Sequence, residues 1–128
     1  MSADGGASKV LTLAQVCTEE QSMITELVLF DLPQGITRAP VVSGMRESAQ
    51  HWSRCPELVR KNYLYDAQKG QAGGVYLWPD QAAAQRWHDE PWRQRIRQLY
   101  GSEPVIRYFD TPLVVDNLLK DVIEQAEV

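Results

Sequence analysis

The centre of the chain reads Leu58-Val59-Arg60-Lys61-Asn62-Tyr63-Leu64-Tyr65 and, a few residues later, Gly73-Gly74-Val75-Tyr76-Leu77-Trp78. Both segments are rich in β-branched and aromatic residues, which predicts two strands. The residues from Asp66 to Gln71 include Gly70 and predict the turn between them. The paired Gly73 and Gly74 indicate the close approach of another backbone or of a ligand. A β-hairpin is therefore predicted at the centre of the chain.

A helix is predicted before this hairpin, from about Pro40 to Arg54. Its apolar residues recur at helical spacing and make one stripe, formed by Val42, Met45, Ala49 and Trp52. Pro56 marks the end of this helix, because proline cannot continue one.

A second helix is predicted after the hairpin, starting at Pro79-Asp80 with Asp80 as its N-cap. Asp89-Glu90-Pro91 interrupts it, because an interior proline loses a backbone hydrogen bond and clashes with the preceding turn. A further helical segment runs from about Trp92 to Tyr100 and stops at Gly101.

Two more strands flank these elements, from Met23 to Phe30 and from Val105 to Phe109. The order β-α-β-β-α-β predicts an α+β domain with an antiparallel sheet, the ferredoxin-like arrangement. An extra C-terminal helix is predicted from Leu113 to Glu127, with one apolar face formed by Val115, Leu118, Leu119 and Val122.

The predicted sheet carries both helices on one face and leaves the other face bare. The strand from Met23 to Phe30 has apolar residues at both alternating positions, so both of its faces are expected to be buried. Two copies can bury their bare faces against each other, which predicts a homodimer.

Length, composition and charge limit the class of protein to which the chain can belong. The chain has 128 residues, of which 44% are hydrophobic, which fits one globular domain. We predict a flexible arm over residues 1–20 and a single domain over residues 21–128, although residues 10–22 also fit a short added helix. The net charge of −4 argues against a nucleic-acid partner.

The cellular location is predicted from what the chain lacks. No segment approaches the roughly 18 apolar residues of a membrane span, so no membrane partner is expected. The first nine residues have no signal pattern, which favours the cytoplasm. Cys17 and Cys55 are therefore interpreted as free thiols.

Four segments of the chain resemble the YdhR-type monooxygenase family, over about residues 23–117. They are Glu57 to Asp66, Ala72-Gly73-Gly74-Val75-Tyr76-Leu77-Trp78-Pro79-Asp80, Trp87-His88-Asp89-Glu90-Pro91-Trp92-Arg93 and Tyr108-Phe109-Asp110-Thr111-Pro112. The segment AGGVYLW is the most specific of these.

The resemblance implies a dimeric α+β barrel, with a pocket between each sheet and its own helices. Many relatives are described as monooxygenases, by analogy with antibiotic-biosynthesis enzymes that oxidise phenolic substrates with dioxygen and no bound metal or flavin. The superfamily also holds cyclases, isomerases and haem-degrading enzymes, so its fold does not fix the reaction. The haem-degrading relatives carry a histidine where this chain has Arg97.

His88 and Arg95 are the polar members of an otherwise apolar helical stripe, which continues through Ala84, Trp92 and Leu99. Polar groups buried on such a stripe need partners, and a ligand is one candidate. His88 could take a phenolic proton and Arg95 could hold the resulting anion. The alternative is that Pro91 shifts the helix, so that His88 or Arg95 reaches solvent or a structural carboxylate.

Nine of the eleven aromatic residues fall between Tyr63 and Phe109, which fits either an aromatic ligand pocket or ordinary packing. The candidate pocket walls are Trp52, Tyr76, Trp87 and Trp92. Tyr63 shares one side of its strand with Lys61 and Tyr65, and it is a catalytic candidate if that side faces the helices. If that side faces a second copy, Tyr63 is part of the interface.

Neither a metal site nor a nucleotide loop is predicted. His51 and His88 are the only histidines, and the Gly73-Gly74 pair matches no phosphate-binding signature. Arg86, Arg93 and Arg97 share a different helix face with Glu90, which is typical of solvated ion pairs.

The sequence therefore predicts a monooxygenase without a cofactor, acting on an aromatic or polyketide-like small molecule. Its catalytic candidates are His88, Tyr63 and Arg95. Two alternatives stay open: a non-oxidative cyclase or isomerase using the same pocket, and a dimer that binds a small ligand without chemistry.

Overall fold

A computed structural model of the chain describes residues 23–124, with side chains up to residue 120. The predicted arm, the alternative helix over residues 10–22 and Cys17 lie outside these residues. Cys55 is a buried free thiol, as predicted. The elements run β1 (Ile24–Asp31), α1 (Arg38–Trp52), β2 (Arg60–Asp66), β3 (Gln71–Trp78), α2 (Gln81–Trp87), α3 (Glu90–Tyr100), β4 (Val105–Asp110), β5 (Leu113–Asp116) and β6 (Asp121–Glu124).

The first four strands form one antiparallel sheet in the order β2-β3-β1-β4. The order of elements up to β4 confirms the predicted ferredoxin-like arrangement. The helices cover one face of the sheet, where Val28, Tyr76, Trp78 and Trp52 meet in the core. In the described residues 23–124, no helix is long and apolar enough to cross a membrane.

Aspartate side chains cap the starts of both α2 and α3, of which the sequence predicted the cap at Asp80. The Asp80 carboxylate accepts a hydrogen bond from the Ala83 backbone N–H at 2.8 Å and so caps α2. The Asp89 carboxylate accepts from the Trp92 backbone N–H at 3.2 Å and starts α3. His88 lies between the two helices in a non-helical conformation, which directs its side chain independently of either helix.

The predicted C-terminal helix is wrong, because β5 and β6 form an antiparallel hairpin there. Lys120 has a φ of 60°, which no continuous right-handed helix contains. The Asp116 carboxylate accepts from the backbone N–H groups of Leu118 and Leu119, both at 3.0 Å, and holds the turn. The β-branched residues of the two strands favour the extended form. Residues 125–127 of the predicted helix lie outside the described residues.

The structure confirms, at Gly73, the close backbone approach that the pair of glycines predicted. A Cβ atom at this position would lie 1.8 Å from the carbonyl oxygen of Val28 on β1. We expect Gly73→Ala to lower the free energy of unfolding by about 3 kcal/mol, because the backbone of one strand must shift. Denaturant unfolding measures this loss.

Gly74→Ala is the matched control for that measurement. Its nearest new contact would be the flexible Lys61 side chain at 3.1 Å, so a smaller loss is expected. Equal losses for the two variants would show that the contact with Val28 is not the cause.

Candidate active site

The site is built on a row of four residues across the helix-facing side of the sheet. Strand pairing places Lys61 of β2 beside Tyr76 of β3, Tyr76 beside Glu26 of β1, and Glu26 beside Tyr108 of β4. Residues directly opposite in paired strands share a face. Lys61 and Tyr63 therefore lie on the helix side of the sheet, which settles the side that the sequence left open.

Glu26 and His88 form a buried pair above this row. The side chains of both residues have no exposed surface. The His88 Nδ1 atom lies 2.8 Å from Oε1 and 2.9 Å from Oε2 of Glu26. The indole N–H of Trp78 donates a second hydrogen bond to Oε1, at 2.8 Å. Such a network compensates part of the large cost of burying a carboxylate.

The geometry of this pair fixes the orientation of the imidazole. A carboxylate only accepts hydrogen bonds, so Nδ1 of His88 carries a proton directed at Glu26. In the neutral imidazole the lone pair then resides on Nε2. Nε2 is buried and has no hydrogen-bond partner among the described residues. His88 therefore presents a free basic nitrogen, held in place by a carboxylate.

Aromatic rings surround His88. The centroid distances from its ring are 4.2 Å to Trp92, 4.5 Å to Tyr76, 5.2 Å to Trp52 and 6.0 Å to Trp78. Burial, followed by the nearby negative charge of Glu26, raises the pKa of Tyr76 well above its ordinary value. The Tyr76 hydroxyl therefore stays protonated at neutral pH.

Tyr63 lies further along the same side of β2. Its hydroxyl is 2.6 Å from the hydroxyl of Ser48 on α1. Burial raises the pKa of Tyr63, partly offset by this hydrogen bond. Tyr63 also lines a cleft of about 300 Å³ together with Trp52, Leu58 and Lys61.

The structure brings together several of the predicted site residues, namely His88, Trp52, Tyr76 and Trp92. Trp87 packs against Trp52, with ring centroids 6.4 Å apart. The indole N–H of Trp87 donates a hydrogen bond to Glu57 at 2.9 Å. Tyr63 lines the cleft described above.

Arg95 lies exposed on α3, away from this cluster. After the break, α3 starts at Glu90 with Pro91 in its first turn. Ile96 is the residue that this helix buries. The predicted stripe through Ala84, His88 and Arg95 therefore does not continue across the break.

Glu26, Trp78 and Lys61 were not among the predicted site residues. Glu26 had a usable signal, because it is the one charged residue in the interior of β1, where Asp31 is the last residue, and it lies on the same face of the strand as the buried Val28. A buried carboxylate requires a partner from elsewhere in the fold. Since the two residues are 62 positions apart, the sequence alone did not identify that partner as His88.

The arginines of the second helical region confirm the predicted surface ion pairs. Arg97 pairs with Glu90 and with Glu103, each at 2.6 Å, and Arg93 lies 3.5 Å from Glu103. Arg86 pairs instead with Glu57. Within the described part of the chain, no three His, Cys, Asp or Glu side chains are grouped so that they could hold a metal ion.

Comparison with known proteins identifies the family. The family model described as "Putative mono-oxygenase ydhR" matches residues 27–112, which is more than half of the chain. The chain therefore belongs to this family. No curated protein sequence gives a significant match.

Solved structures show a similar fold. SnoaB, a cofactor-independent oxygenase from Streptomyces nogalater, matches at 18% identity with a TM-score of 0.53, over 70% of this chain and 93% of SnoaB. A variant of SnoaB matches at 19% identity with a TM-score of 0.55, over 73% of this chain and 97% of the variant. An antibiotic biosynthesis monooxygenase homologue from Caulobacter crescentus CB15 matches at 14% identity with a TM-score of 0.50, over 72% of this chain and 92% of its own.

Proposed function

We propose that the protein is a monooxygenase that uses no bound cofactor and oxidises a small aromatic or polyketide-like molecule with an ionisable oxygen. The observation that carries this proposal is the buried His88–Glu26 pair, whose free Nε2 lies among aromatic rings. Family membership supports the reaction class, and the fold of SnoaB, a cofactor-independent oxygenase, is consistent with it.

In this reaction His88 acts as the general base. Its Nε2 accepts the proton of a substrate hydroxyl or of an acidic carbon beside a carbonyl. The resulting imidazolium is stabilised by the Glu26 carboxylate, 2.8 Å from Nδ1. Trp78 holds Glu26 in place through its indole N–H.

The substrate anion then supplies the electrons to dioxygen. For an activated CH₂ group, one oxygen atom is retained as a new carbonyl and the other leaves as water with the two hydrogens. The protein contributes orientation and the exclusion of water, for which Trp52, Tyr76 and Trp92 provide apolar surfaces.

Trp52 connects this base to the open cleft. It lines the cleft beside Lys61, and its ring also packs 5.2 Å from the ring of His88. We propose that movement of the Trp52 indole admits the substrate to Nε2. The cleft and the buried pair then form one active site, with Trp52 between them.

Oxygen uptake with a panel of polycyclic phenols tests the proposed function. We expect consumption of one dioxygen per substrate oxidised, unchanged by a metal chelator and without added flavin. Substrate conversion without oxygen uptake would indicate a cyclase or isomerase. Quenching of tryptophan fluorescence by the same compounds, without conversion, would indicate a binding protein.

We also infer that the protein is a cytoplasmic homodimer, joined by the sheet faces that carry no helices. Val105 and Phe109 lie on that face of β4 and are 64% and 39% exposed. Burial of these apolar side chains against a second copy would favour association.

Val105→Asp is expected to convert the dimer to a monomer, because it would bury an unpaired charge in the interface. Light scattering at micromolar concentration measures the mass. Leu99→Asp is the control, since Leu99 is 61% exposed on α3, on the helix side. A wild-type monomer, or dissociation by both variants, would contradict this interface.

A further inference from the structure

Lys61 is a charged residue that the proposed chemistry has not yet used. Its amine lies over three aromatic rings, 3.8 Å from the centroid of Tyr63, 4.5 Å from Tyr76 and 4.8 Å from Trp52. Contacts of this kind stabilise a cation through the negative faces of the rings. These contacts supply no hydrogen-bond acceptor to the amine.

The surrounding sheet is shaped to admit this lysine. Gly74 lies beside it on β3, and a Cβ atom there would meet the Lys61 Cε atom at 3.1 Å and the Tyr76 ring at 3.2 Å. The glycine therefore leaves space for the stem of the lysine. Within the described part of the chain, no carboxylate lies within 4.0 Å of the amine.

The charge on Lys61 is only partly compensated. Burial lowers the pKa of Lys61 to about 7, although the negative charge of Glu26 opposes this change. Tyr63 and Tyr76 face the amine as neutral phenols, because burial raises the pKa of each. Cys55 and Arg60 line the same cleft, and Arg60 pairs with Asp116 at 2.8 Å. An anion entering the cleft would supply the missing partner.

Lys61 also lies close to the proposed base. Its amine and the His88 ring are each 4.5 Å from the centroid of Tyr76, and both contact Trp52. A planar aromatic ligand beside these rings could therefore place its ionised oxygen at Lys61 while its acidic group reaches toward His88.

We propose that Lys61 binds the ionised oxygen of a planar phenolate or enolate in the cleft lined by Trp52 and Tyr63. This inference rests on the proposed function for the identity of the substrate. It assigns to Lys61 the role of holding the anion, which the sequence had suggested for Arg95. A charge-assisted contact of this kind is shorter and stronger than one between neutral groups.

Binding of 4-nitrophenol in the absence of oxygen tests this assignment, because its phenolate is yellow and its neutral form is not. At pH 6, where the Lys61 amine is charged, we expect the wild-type protein to bind the yellow phenolate. It should bind 4-nitroanisole, an ether that cannot ionise, at least about tenfold more weakly. Lys61→Met should remove this difference and the yellow colour.

Lys69→Met is the matched control, because Lys69 is an exposed lysine in the hairpin turn, and it should behave as wild type. Thermal melting shows that each variant is folded. The role of Lys61 would be overturned if the wild type and Lys61→Met preferred 4-nitrophenol over 4-nitroanisole equally. It would also be overturned if the wild type showed no such preference. Phenolate binding through Lys61 without oxygen uptake on the phenol panel would retain this role and reject the monooxygenase.

Discussion

Replacing His88 with alanine is expected to lower turnover of an oxidised phenol by about 10²–10⁴-fold, the usual cost of losing a general base. The variant is also expected to lose about 3–5 kcal/mol of stability, because it leaves the Glu26 carboxylate buried without its imidazole partner, although Trp78 still donates to it. Oxygen uptake per folded protein and denaturant unfolding measure the two effects separately.

A double variant separates catalysis from structure. In Glu26→Leu with His88→Leu, both polar partners are replaced by apolar side chains, so much of the lost stability should return. Turnover should stay low, because the base is absent. Wild-type turnover in this folded double variant would show that the pair is structural and remove His88 from the mechanism.

Replacing Lys61 with methionine is expected to stabilise the protein, most strongly at low pH. The fall in its pKa from 10.5 to about 7 corresponds to a cost on the order of 5 kcal/mol for a charged amine in the folded state, which its contacts with three aromatic rings offset in part. Methionine has a similar shape and no charge. The gain in the free energy of unfolding should reach its full value below about pH 7, where the lysine is charged in both the folded and the unfolded protein.

The sign of the pH dependence follows from this difference in pKa. Between about pH 7 and pH 10.5 the unfolded chain binds more protons at Lys61 than the folded chain does. The stability of the wild type therefore rises relative to the variant, and the gain from methionine declines toward zero. Denaturant unfolding from pH 6 to pH 10 measures this change. A gain that is independent of pH would show that the Lys61 amine is not desolvated.

Much of the fold could be predicted from local patterns. The hairpin between β2 and β3 follows from Gly70 and the flanking aromatic strands, and the helix break follows from Pro91. These signals are local, so a single sequence carries them. The C-terminal segment was mistaken for a helix because its apolar residues also match helical spacing, whereas the turn at Asp116 depends on side-chain hydrogen bonds.

The site was predicted only in part, for a related reason. His88 and the tryptophans near it are visible as unusual residues within predicted elements. The pairing of His88 with Glu26 depends on how β1 lies against the junction between α2 and α3, which no local pattern specifies. Likewise, the side of the sheet that Lys61 occupies is set by strand register, which places it beside Tyr76.

The burial of Glu26 and His88 also restricts how the chain can change over evolution. Loss of either residue alone leaves a polar group in an enclosed apolar space, with a penalty that selection would oppose. Replacement of both by apolar residues removes the buried charge, and the cost that remains is the loss of the acceptor for the Trp78 indole N–H. Members of the family should therefore keep the two residues together or lack both, and a lineage that has lost them has changed its chemistry while keeping its fold.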